Sequence, residues 1–463
     1  MTGRVLTGRK KITNDAEKIT RENVVEVLNE AMATHMSNQA DIQYLWDYYK
    51  GYQPILSRKK DVRPEICNKI VENRANEIVS FKVGYLMGEP VQYVNRGSSQ
   101  EAGEAIKRLN SFVYAENKST EDKKLADWFT ICGTAFRLIL PSQSDEDEDS
   151  PFHIYTLDPR TTFVVYWSGL GNKPLMGVRF VQKQNLDVVY SVYTEDKYFE
   201  ILNDGIVKEE AHYYGGVPII EYPANEARLG AFEIVLPLLD AINDCSSNRL
   251  DGVEQFVQAI MVLKGVDITT EDFQQMKVLG GLKIPLEADV EYLVQELNQS
   301  QTQTLKDDLY QTVLTICGMP NRNGGTSTSD TGSAVIMRDG WSAAEARAKD
   351  AELMFVRSER EFLKFALRFA SILRDMSLKL ADIGIQFTRR NYENIQEKSQ
   401  VLTTMLANPK IHRKLAFEHC GMFVDPDLAY AMSEEQYQQE LAETEKELME
   451  ADADEDDSEV PEE

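Results

Sequence analysis

The chain has 463 residues, of which 42% are hydrophobic and 27% are charged. This ordinary globular composition excludes a mainly disordered or collagen-like protein, and the length allows two to four domains of ~100–200 residues each. Asp and Glu number 76 against 50 Lys and Arg, a formal net charge of −26. A chain this acidic is poorly suited to gripping duplex DNA over a wide surface, because such binding depends on Lys and Arg displacing phosphate counterions.

Cysteine spacing and hydropathy predict where the protein resides. The cysteines show no CxxC pair and predict reduced thiols: Cys67, Cys132, Cys245, Cys317 and Cys420. Charges interrupt every apolar run well before the ~18 residues needed to span a bilayer. The basic N-terminus lacks the apolar core of a signal peptide. We therefore expect a soluble protein that stays in the compartment where it is made and does not enter a membrane.

The first part of the chain is predicted to be helical. Residues 1–20 are expected to form a flexible arm. Aromatic and aliphatic residues predict two helices over 22–50, ending at Gly51, and a third over 66–86, stopped by the GEP sequence at 88–90. Ser119 and Thr120 begin a further helix that ends at Gly133.

Short β-branched and aromatic runs then follow one another, separated by turn residues. This spacing is typical of an antiparallel meander, so helices followed by strands predict an α+β domain over residues ~20–225. The predicted strands are TAFRLIL (134–140), FHIYTL (152–157), TTFVVYW (161–167), LMGVRFV (175–181), DVVYSVYT (187–194), KYFEIL (197–202), GIVKEE (205–210) and PIIEY (218–222).

The middle of the chain returns to helix around a compact insert. Residues 231–264 are predicted to be helical, 266–297 to form an insert with hairpin-like pieces at KVLGGLKIP and VEYLVQEL, and 302–317 to form another helix. Residues 318–332, GMPNRNGGTSTSDTG, have the composition of a mobile loop.

The longest predicted helix covers residues 341–383, which contain neither Gly nor Pro and would measure ~60 Å. Its apolar residues form one continuous stripe, so a helix of this length is expected to contact other elements or subunits along its course. A strand at 383–389 and two or three helices over 394–449 complete the predicted fold. The last residues, 433–463, carry fifteen acidic residues and one lysine and end as a solvated acidic tail.

A search for catalytic motifs predicts neither a cofactor nor a metal site. No GxxxxGK[ST] sequence is present, and the five histidines show no paired metal spacing. One pattern resembles a metal nuclease: Asp187, Glu195 and Lys197 follow the D…ExK spacing in which two carboxylates hold a divalent cation. The alternative interpretation, a hairpin with a charged tip, is favoured because strand-like runs flank Glu195.

The loop that begins near Asn321 is open to three interpretations. A phosphate-binding cradle is disfavoured by Asp330. A flexible loop with one cation, Arg322, could touch a passing polyanion weakly, and a plain linker is the third interpretation.

Three segments and their order along the chain resemble those of the portal proteins of tailed double-stranded-DNA bacteriophages with long non-contractile tails. These are ICNKIVENRANEIVSFKVGYLMGEPVQY at 66–93, GAFEIVLPLLDAINDCSSNRLDGVEQFVQAIMVLKG at 230–265, and the sequence of helix, Gly/Ser/Thr-rich loop, TGSAVIMRDG, long charged helix and IGIQFTRRNYENIQE. Together they span about residues 25–440 in the family's order.

The resemblance implies an α+β portal-type subunit that assembles into a ring. It divides the chain into a flexible arm (1–20), wing (21–230), first stem helix (231–265), small α/β clip insert (266–300), second stem helix (301–317), tunnel loop (318–332), long kinked helix with a returning wing strand (333–393), helical crown (394–449) and disordered acidic tail (450–463).

The resemblance also implies a function at the capsid vertex without catalysis. About twelve copies would form the channel for packaging and ejecting double-stranded DNA, and the ring would contact the terminase large subunit, a head-completion adaptor, scaffold and the major capsid protein. Such a protein is made in the host cytoplasm and resides in the virion. The expected DNA contacts are local and transient, from Asn321, Arg322, Asn323, Gly324, Gly325, Thr326, Ser327, Thr328, Ser329 and Lys306. The rival hypotheses are a non-ring adaptor that uses its acidic tail to engage basic partners, and the nuclease.

Overall fold

The computed structural model describes residues 6–96, 99–142, 149–184, 186–257, 260–264, 289–293, 299–321, 340–388, 395–423 and 426–456. Its helices are α1 (Val24–Tyr49), α2 (Arg74–Leu86), α3 (Gln100–Ala115), α4 (Lys118–Cys132), α5 (Leu236–Val257), α6 (Gln299–Cys317), α7 (Trp341–Arg374), α8 (Ile395–Leu406), α9 (Arg413–His419) and α10 (Pro426–Asp456). Its strands are β1 (Ile12–Asn14), β2 (Gln92–Asn95), β3 (Thr134–Pro141), β4 (Phe152–Leu157), β5 (Thr162–Trp167), β6 (Pro174–Gln182), β7 (Val188–Tyr193), β8 (Lys197–Leu202), β9 (Gly205–Ala211), β10 (Ile219–Pro223), β11 (Ile260–Lys264), β12 (Asp289–Leu293) and β13 (Ile383–Gln386).

The strands predicted over 134–222 are all present within one residue of their predicted bounds, but they do not form one meander. Strands β5 to β9 are a meander, whereas β10 leaves it and pairs with β3, whose other neighbour is β4. The chain is redirected at Gly215 and Gly216, both with positive φ. The two sheets approach closely at Gly177, where a Cβ would lie 2.6 Å from the Cβ of Ile219.

The N-terminal segment is packed rather than flexible from residue 8 onward, which corrects the predicted arm. Strand β1 adds to the edge of the meander, parallel to β5, with Ile12 opposite Val165. Arg9 is buried. The local pattern does not predict this packing, because the partners of Arg9 and Ile12, which include Arg228, Glu233 and Val165, lie more than 100 residues away.

Two helix predictions over residues 22–86 are wrong in their bounds. Residues 24–49 form one helix instead of two, since the polar Asn38 in its middle is buried and bonds to the backbone N and O of Lys10. The helix predicted from residue 66 begins only at Arg74. Residues 67–73 before it have no regular secondary structure, and the backbone N–H groups of Ile70 and Glu72 donate to side chains of α5. Helix α3 was not predicted.

The helix predicted over 231–264 is divided. A short 3-10 turn, Glu233–Val235, leads into α5, and residues 260–264 form β11 instead of the last helical turns. Strand β11 pairs antiparallel with β12, with Ile260 opposite Leu293 and Lys264 opposite Asp289. The β12 strand lies in the predicted VEYLVQEL piece, whereas KVLGGLKIP lies outside the described residues.

The long helix α7 is continuous from Trp341 but ends at Arg374, shorter than predicted. It has 34 residues, about 50 Å at 1.5 Å per residue. Asp375 adopts a left-handed conformation and the next residue, Met376, is buried, so the chain returns over the core. Strand β13 then pairs with β2, which confirms the predicted strand over residues 383–386.

The C-terminal region contains α8, α9 and α10, in agreement with the predicted helices. Helix α10 continues to Asp456, so the beginning of the acidic tail is helical rather than disordered. The rest of the tail lies outside the described residues. The boundaries assigned to wing, stem, clip and crown stay predictions.

One large hydrophobic core joins the helices α1, α2 and α4 to strand β3 and to α5 and α7. A smaller core fills the space between α1 and the meander. No helix in the described part of the chain is both long and apolar enough to cross a membrane.

Candidate channel site and its supports

Helices α5 and α6 lie side by side and form, with the β11–β12 ribbon, an arm that leaves the α/β body and returns to it. Toward the ribbon, the described side chains of α5 beyond Asp251, residues 252–255, are not buried. Arg249 Nη1 of α5 donates to Gln303 Oε1 of α6 within this part. The arm is the element that the sequence predicted as two stem helices around an insert.

A buried ion pair fixes the start of the arm to the N-terminal segment. Arg9 Nη2 lies 2.5 Å from Glu233 Oε1, and both side chains are inaccessible to solvent. The same carboxylate accepts the backbone N–H groups of Gly8 at 3.0 Å and Gly230 at 2.8 Å. Because its charge is paired and its oxygens are hydrogen-bonded, burial of Glu233 here does not cost a large desolvation free energy.

A second carboxylate ties α5 to the segment that precedes α2. Asp251 accepts Lys60 Nζ at 2.7 Å, Arg58 Nη1 at 3.0 Å and the backbone N–H of Asn68 at 2.8 Å. Burial raises the pKa of Asp251, but the bonds from Lys60 and Asn68 outweigh it, and the pKa lies below its ordinary value. The carboxylate is therefore ionised at neutral pH and holds two cations beside the arm.

Lys306, one of the predicted DNA contacts, is engaged within the subunit. Its Nζ lies 2.7 Å from Glu72 Oε1, and its side chain is about one-fifth exposed, at 21%. Arg74 Nη2 lies 3.1 Å from the other oxygen of Glu72, and Ser246 Oγ donates to the same carboxylate. Lys306 thus connects α6 to α5 and to the start of α2, and its role at DNA stays a prediction.

The predicted tunnel loop starts at the end of α6, beside the start of α7. Helix α6 ends at Gly318 in a left-handed conformation, and the backbone N–H of Met319 donates to the Leu314 carbonyl at 2.8 Å. A Cβ on Gly340, at the start of α7, would lie 3.8 Å from backbone atoms of Met319 and Pro320. Asn321 lies at this root, whereas the other predicted loop contacts, residues 322–329, fall outside the described residues.

Helix α7 is anchored to the body by a buried charged cluster that the sequence analysis missed. Glu359 is completely buried and accepts Lys118 Nζ at 2.8 Å and Arg137 Nη1 at 3.0 Å. The hydroxyl groups of Tyr93 and Tyr222 donate to it at 2.6 and 2.7 Å. The cluster also includes Asp122, which pairs with both cations. It joins α4, α7 and strands of two sheets.

The electrostatics of this cluster show a structural role. Burial raises the pKa of Glu359, but the charges of Lys118 and Arg137 dominate and lower it to about 2. Every charge has a close opposite charge in a site closed to solvent, so the cluster has no place for a substrate. A signal existed in the sequence, since Glu359 interrupts the apolar stripe of α7 and Arg137 interrupts the apolar run of β3.

The nuclease hypothesis fails on geometry. Asp187 precedes β7 and Glu195 follows it, so the six residues of the strand hold the two backbone positions about 20 Å apart at ~3.3 Å per residue. Glu195 pairs with Lys173, and Lys197 pairs with Glu209. Across the described residues, His, Cys, Asp and Glu side chains form no group able to hold a metal ion.

His35 and Cys132 of the body serve packing. His35 stacks on Phe163, its Nε2 lies 3.1 Å from the Arg160 carbonyl, and burial lowers its pKa to about 4. Burial raises the pKa of Cys132 to about 12, so this thiol stays neutral and unreactive at physiological pH. The five cysteines are free thiols, as predicted.

Comparison with known proteins gives consistent matches. The sequence model of the family described as "Phage portal protein, SPP1 Gp6-like" matches residues 31–457. A curated relative, the portal protein of Bacillus phage SPP1, is 22% identical over 428 residues, which cover 82% of this chain and 78% of the relative. Among solved structures, a chain in the neck of an empty GTA particle gives a TM-score of 0.45 at 10% identity, covering 76% of this chain and 91% of that one. A chain in the virion of a native gene transfer agent particle gives a TM-score of 0.44 at 10% identity, covering 83% and 94%.

Proposed function

The chain belongs to the SPP1 Gp6-like family of phage portal proteins, and from this premise we propose that its copies form a closed ring around a channel for double-stranded DNA. Portal proteins of this family are structural and not enzymatic, and the same holds for this chain. The observation that carries the proposal is the family match over residues 31–457, which includes the whole helix–ribbon–helix arm.

In the proposed ring, the arms stand around the axis and the loop rooted between Asn321 and Gly340 reaches toward the DNA. The net charge of −26 supports a channel through which DNA moves rather than a surface that binds DNA tightly. Acidic walls do not form long-lived phosphate contacts, so the duplex stays mobile, whereas a basic lining would retain it. Contacts with DNA are then confined to a few groups in the loop, with Arg322 as the main candidate.

The proposed location is the capsid vertex of the virion, after synthesis in the host cytoplasm. The proposed partners are a terminase large subunit, which supplies the motor activity that this chain lacks, a head-completion adaptor, scaffold and the major capsid protein. A non-ring adaptor is the remaining alternative, and it predicts a small assembly without a central hole.

The first test is the mass of the purified particle. We expect mass photometry to find a species near ~630 kDa, twelve copies of the 52.7-kDa chain, and negative-stain images to show a ring with a hole. A particle of one or two copies, also in the presence of scaffold, would contradict the ring and favour the adaptor.

The second test addresses the tunnel loop. Deleting residues 322–329, which include Arg322, is expected to reduce retention of packaged DNA while leaving ring assembly unchanged, because the deletion removes the proposed contact and spares the arm. Genome retention is measured as the fraction of nuclease-protected DNA in assembled heads. Replacement of the same residues by a Gly/Ser linker of equal length separates loop length from loop chemistry. Unchanged packaging and retention in both variants would contradict a DNA contact by this loop.

A further inference from the structure

The arm presents two different surfaces on opposite sides of α5. Asn243, Ser247 and Asp251 lie four residues apart on one face and bond to the segment before α2. Arg249 bonds to α6 and lies two residues from Ser247, which places the two side chains ~160° apart around the helix. At the level of Asp251 and Arg249, helix α5 therefore lies between the segment before α2 and helix α6, whereas nearer the body Lys306 of α6 reaches Glu72 of that segment directly.

The outer face of α6 is suited to being buried. Thr304, Thr312 and Thr315 are exposed, and each donates its hydroxyl to the carbonyl four residues earlier, at 2.9, 2.9 and 3.0 Å. Their polar groups are satisfied inside the helix, so covering this face leaves no hydroxyl without a partner. Leu305 is 51% exposed beside them. Asp308 carries the charge of this face and has no ion pair among the described residues.

The opposite surface, which we call the ledge, is formed by Tyr52, Leu56, Lys59 and Val62. Its apolar members are 68%, 42% and 77% exposed. The neighbouring cations, Arg58 and Lys60, are committed to Asp251. Lys59 is exposed and has no ion pair among the described residues, and the exposed Asp61 lies two residues along the chain, so the ledge combines an apolar surface with a cation that has no ion pair within the described part of its own subunit.

We propose that the outer face of α6 in one copy packs on the ledge of the next copy, with Asp308 against Lys59. The inference rests on the proposed ring and specifies which surfaces close it. The two surfaces are different patches of the same chain, so a contact between them is head-to-tail, and repetition of such a contact can close into a ring. Copies with a net charge of −26 repel one another, and a local pairing of opposite charges is what orients their approach.

Charge reversal tests the contact in the full-length protein. Asp308→Lys and Lys59→Glu each convert an attraction into a repulsion that recurs at every contact of the ring. We expect each single variant to need at least about tenfold more protein for half-maximal assembly in mass photometry, since exposed pairs act weakly one by one but are repeated around the ring. The double variant restores the pair and is expected to recover most of the assembly. Glu104→Lys, an exposed residue of α3 with the same charge change as Asp308→Lys, is the matched control and is expected to assemble normally.

The outcomes separate this contact from the ring itself. The contact would be overturned, with the proposed ring intact, by either of two results. In the first, the wild type and both single variants assemble into rings equally well. In the second, the double variant assembles no better than the worse of the two single variants. Wild-type chains that never form a ring would overturn the proposed function, and this contact with it. An independent check is a chain with Lys59→Cys and Asp308→Cys. Oxidation is expected to give covalent ladders longer than dimers. A variant with only one of the two substitutions, which keeps the five native cysteines, should not do so. Dimers alone would contradict a head-to-tail contact.

Discussion

Glu359→Gln is expected to lower the free energy of unfolding by ~3–5 kcal/mol, because it leaves the charges of Lys118 and Arg137 partly uncompensated in a site closed to solvent. Glu359 and Arg137 are completely buried and bond to each other, so neither water nor a rotated side chain can replace the lost carboxylate. The urea midpoint at fixed protein concentration, followed by circular dichroism, measures the effect. Glu361→Gln, two residues away in an exposed pair with Lys364, is the matched control and is expected to change stability by less than ~1 kcal/mol.

The pH dependence of the same variant provides a second readout. The pKa of Glu359 is lowered from 4.5 to about 2 in the folded protein. A depressed carboxyl pKa contributes stability above the unfolded-state value, and this contribution is lost as the pH falls toward the folded-state value. We therefore expect the stability difference between wild type and Glu359→Gln to be constant above pH 5 and to shrink between pH 4.5 and 2. A difference that does not depend on pH would contradict an ionised Glu359.

Gly133→Ala is expected to lower the free energy of unfolding by ~2–5 kcal/mol, through left-handed backbone strain combined with overpacking. Gly133 ends α4 with φ +83°, and an added Cβ would lie 1.9 Å from the Arg228 carbonyl oxygen. The chain cannot yield easily there, since the Gly133 carbonyl also accepts the backbone N–H of Ala224 at 3.0 Å. The variant should show a lower melting temperature and a lower yield of soluble protein.

Gly171→Ala separates the two causes. Gly171 has nearly the same φ, +88°, but no atom lies within 4 Å of its added Cβ. It should therefore show only the strain of ~1–2 kcal/mol. Equal melting temperatures for the two variants would show that the close approach of the Arg228 carbonyl to Gly133 adds nothing to the loss of stability.

Local patterns were sufficient where neighbours in sequence supply the interactions. The strands between Thr134 and Pro223 are bounded by turn residues and β-branched runs, and each was predicted within one residue. The helix ending at Gly133 was predicted because a glycine with positive φ is a local stop signal. Pairing of the strands was not predictable in the same way, because β10 reaches β3 across some 80 residues and no local pattern encodes that choice.

The buried charges show the same difference between what local sequence predicts and what distant contacts determine. Glu359 interrupts an apolar stripe, a sign visible in the sequence, but its partners come from residues as distant as 118 and 137. Lys306 was proposed as a DNA contact on its charge and position alone. The structure shows that Lys306 pairs with Glu72. This partner could not be predicted from the sequence, because Glu72 is one of 76 acidic residues in the chain.

The sequence by itself determined the α+β class, the strands over residues 134–223, the helix–insert–helix arm and the portal family, because these depend on periodicity, turn residues and the order of segments. Only the tertiary structure decided where α7 ends, which strands belong to each of the two sheets, and which charged side chains form ion pairs within the subunit. Those features arise from contacts between residues far apart in the chain, and their free energy depends on burial and geometry that no local pattern contains.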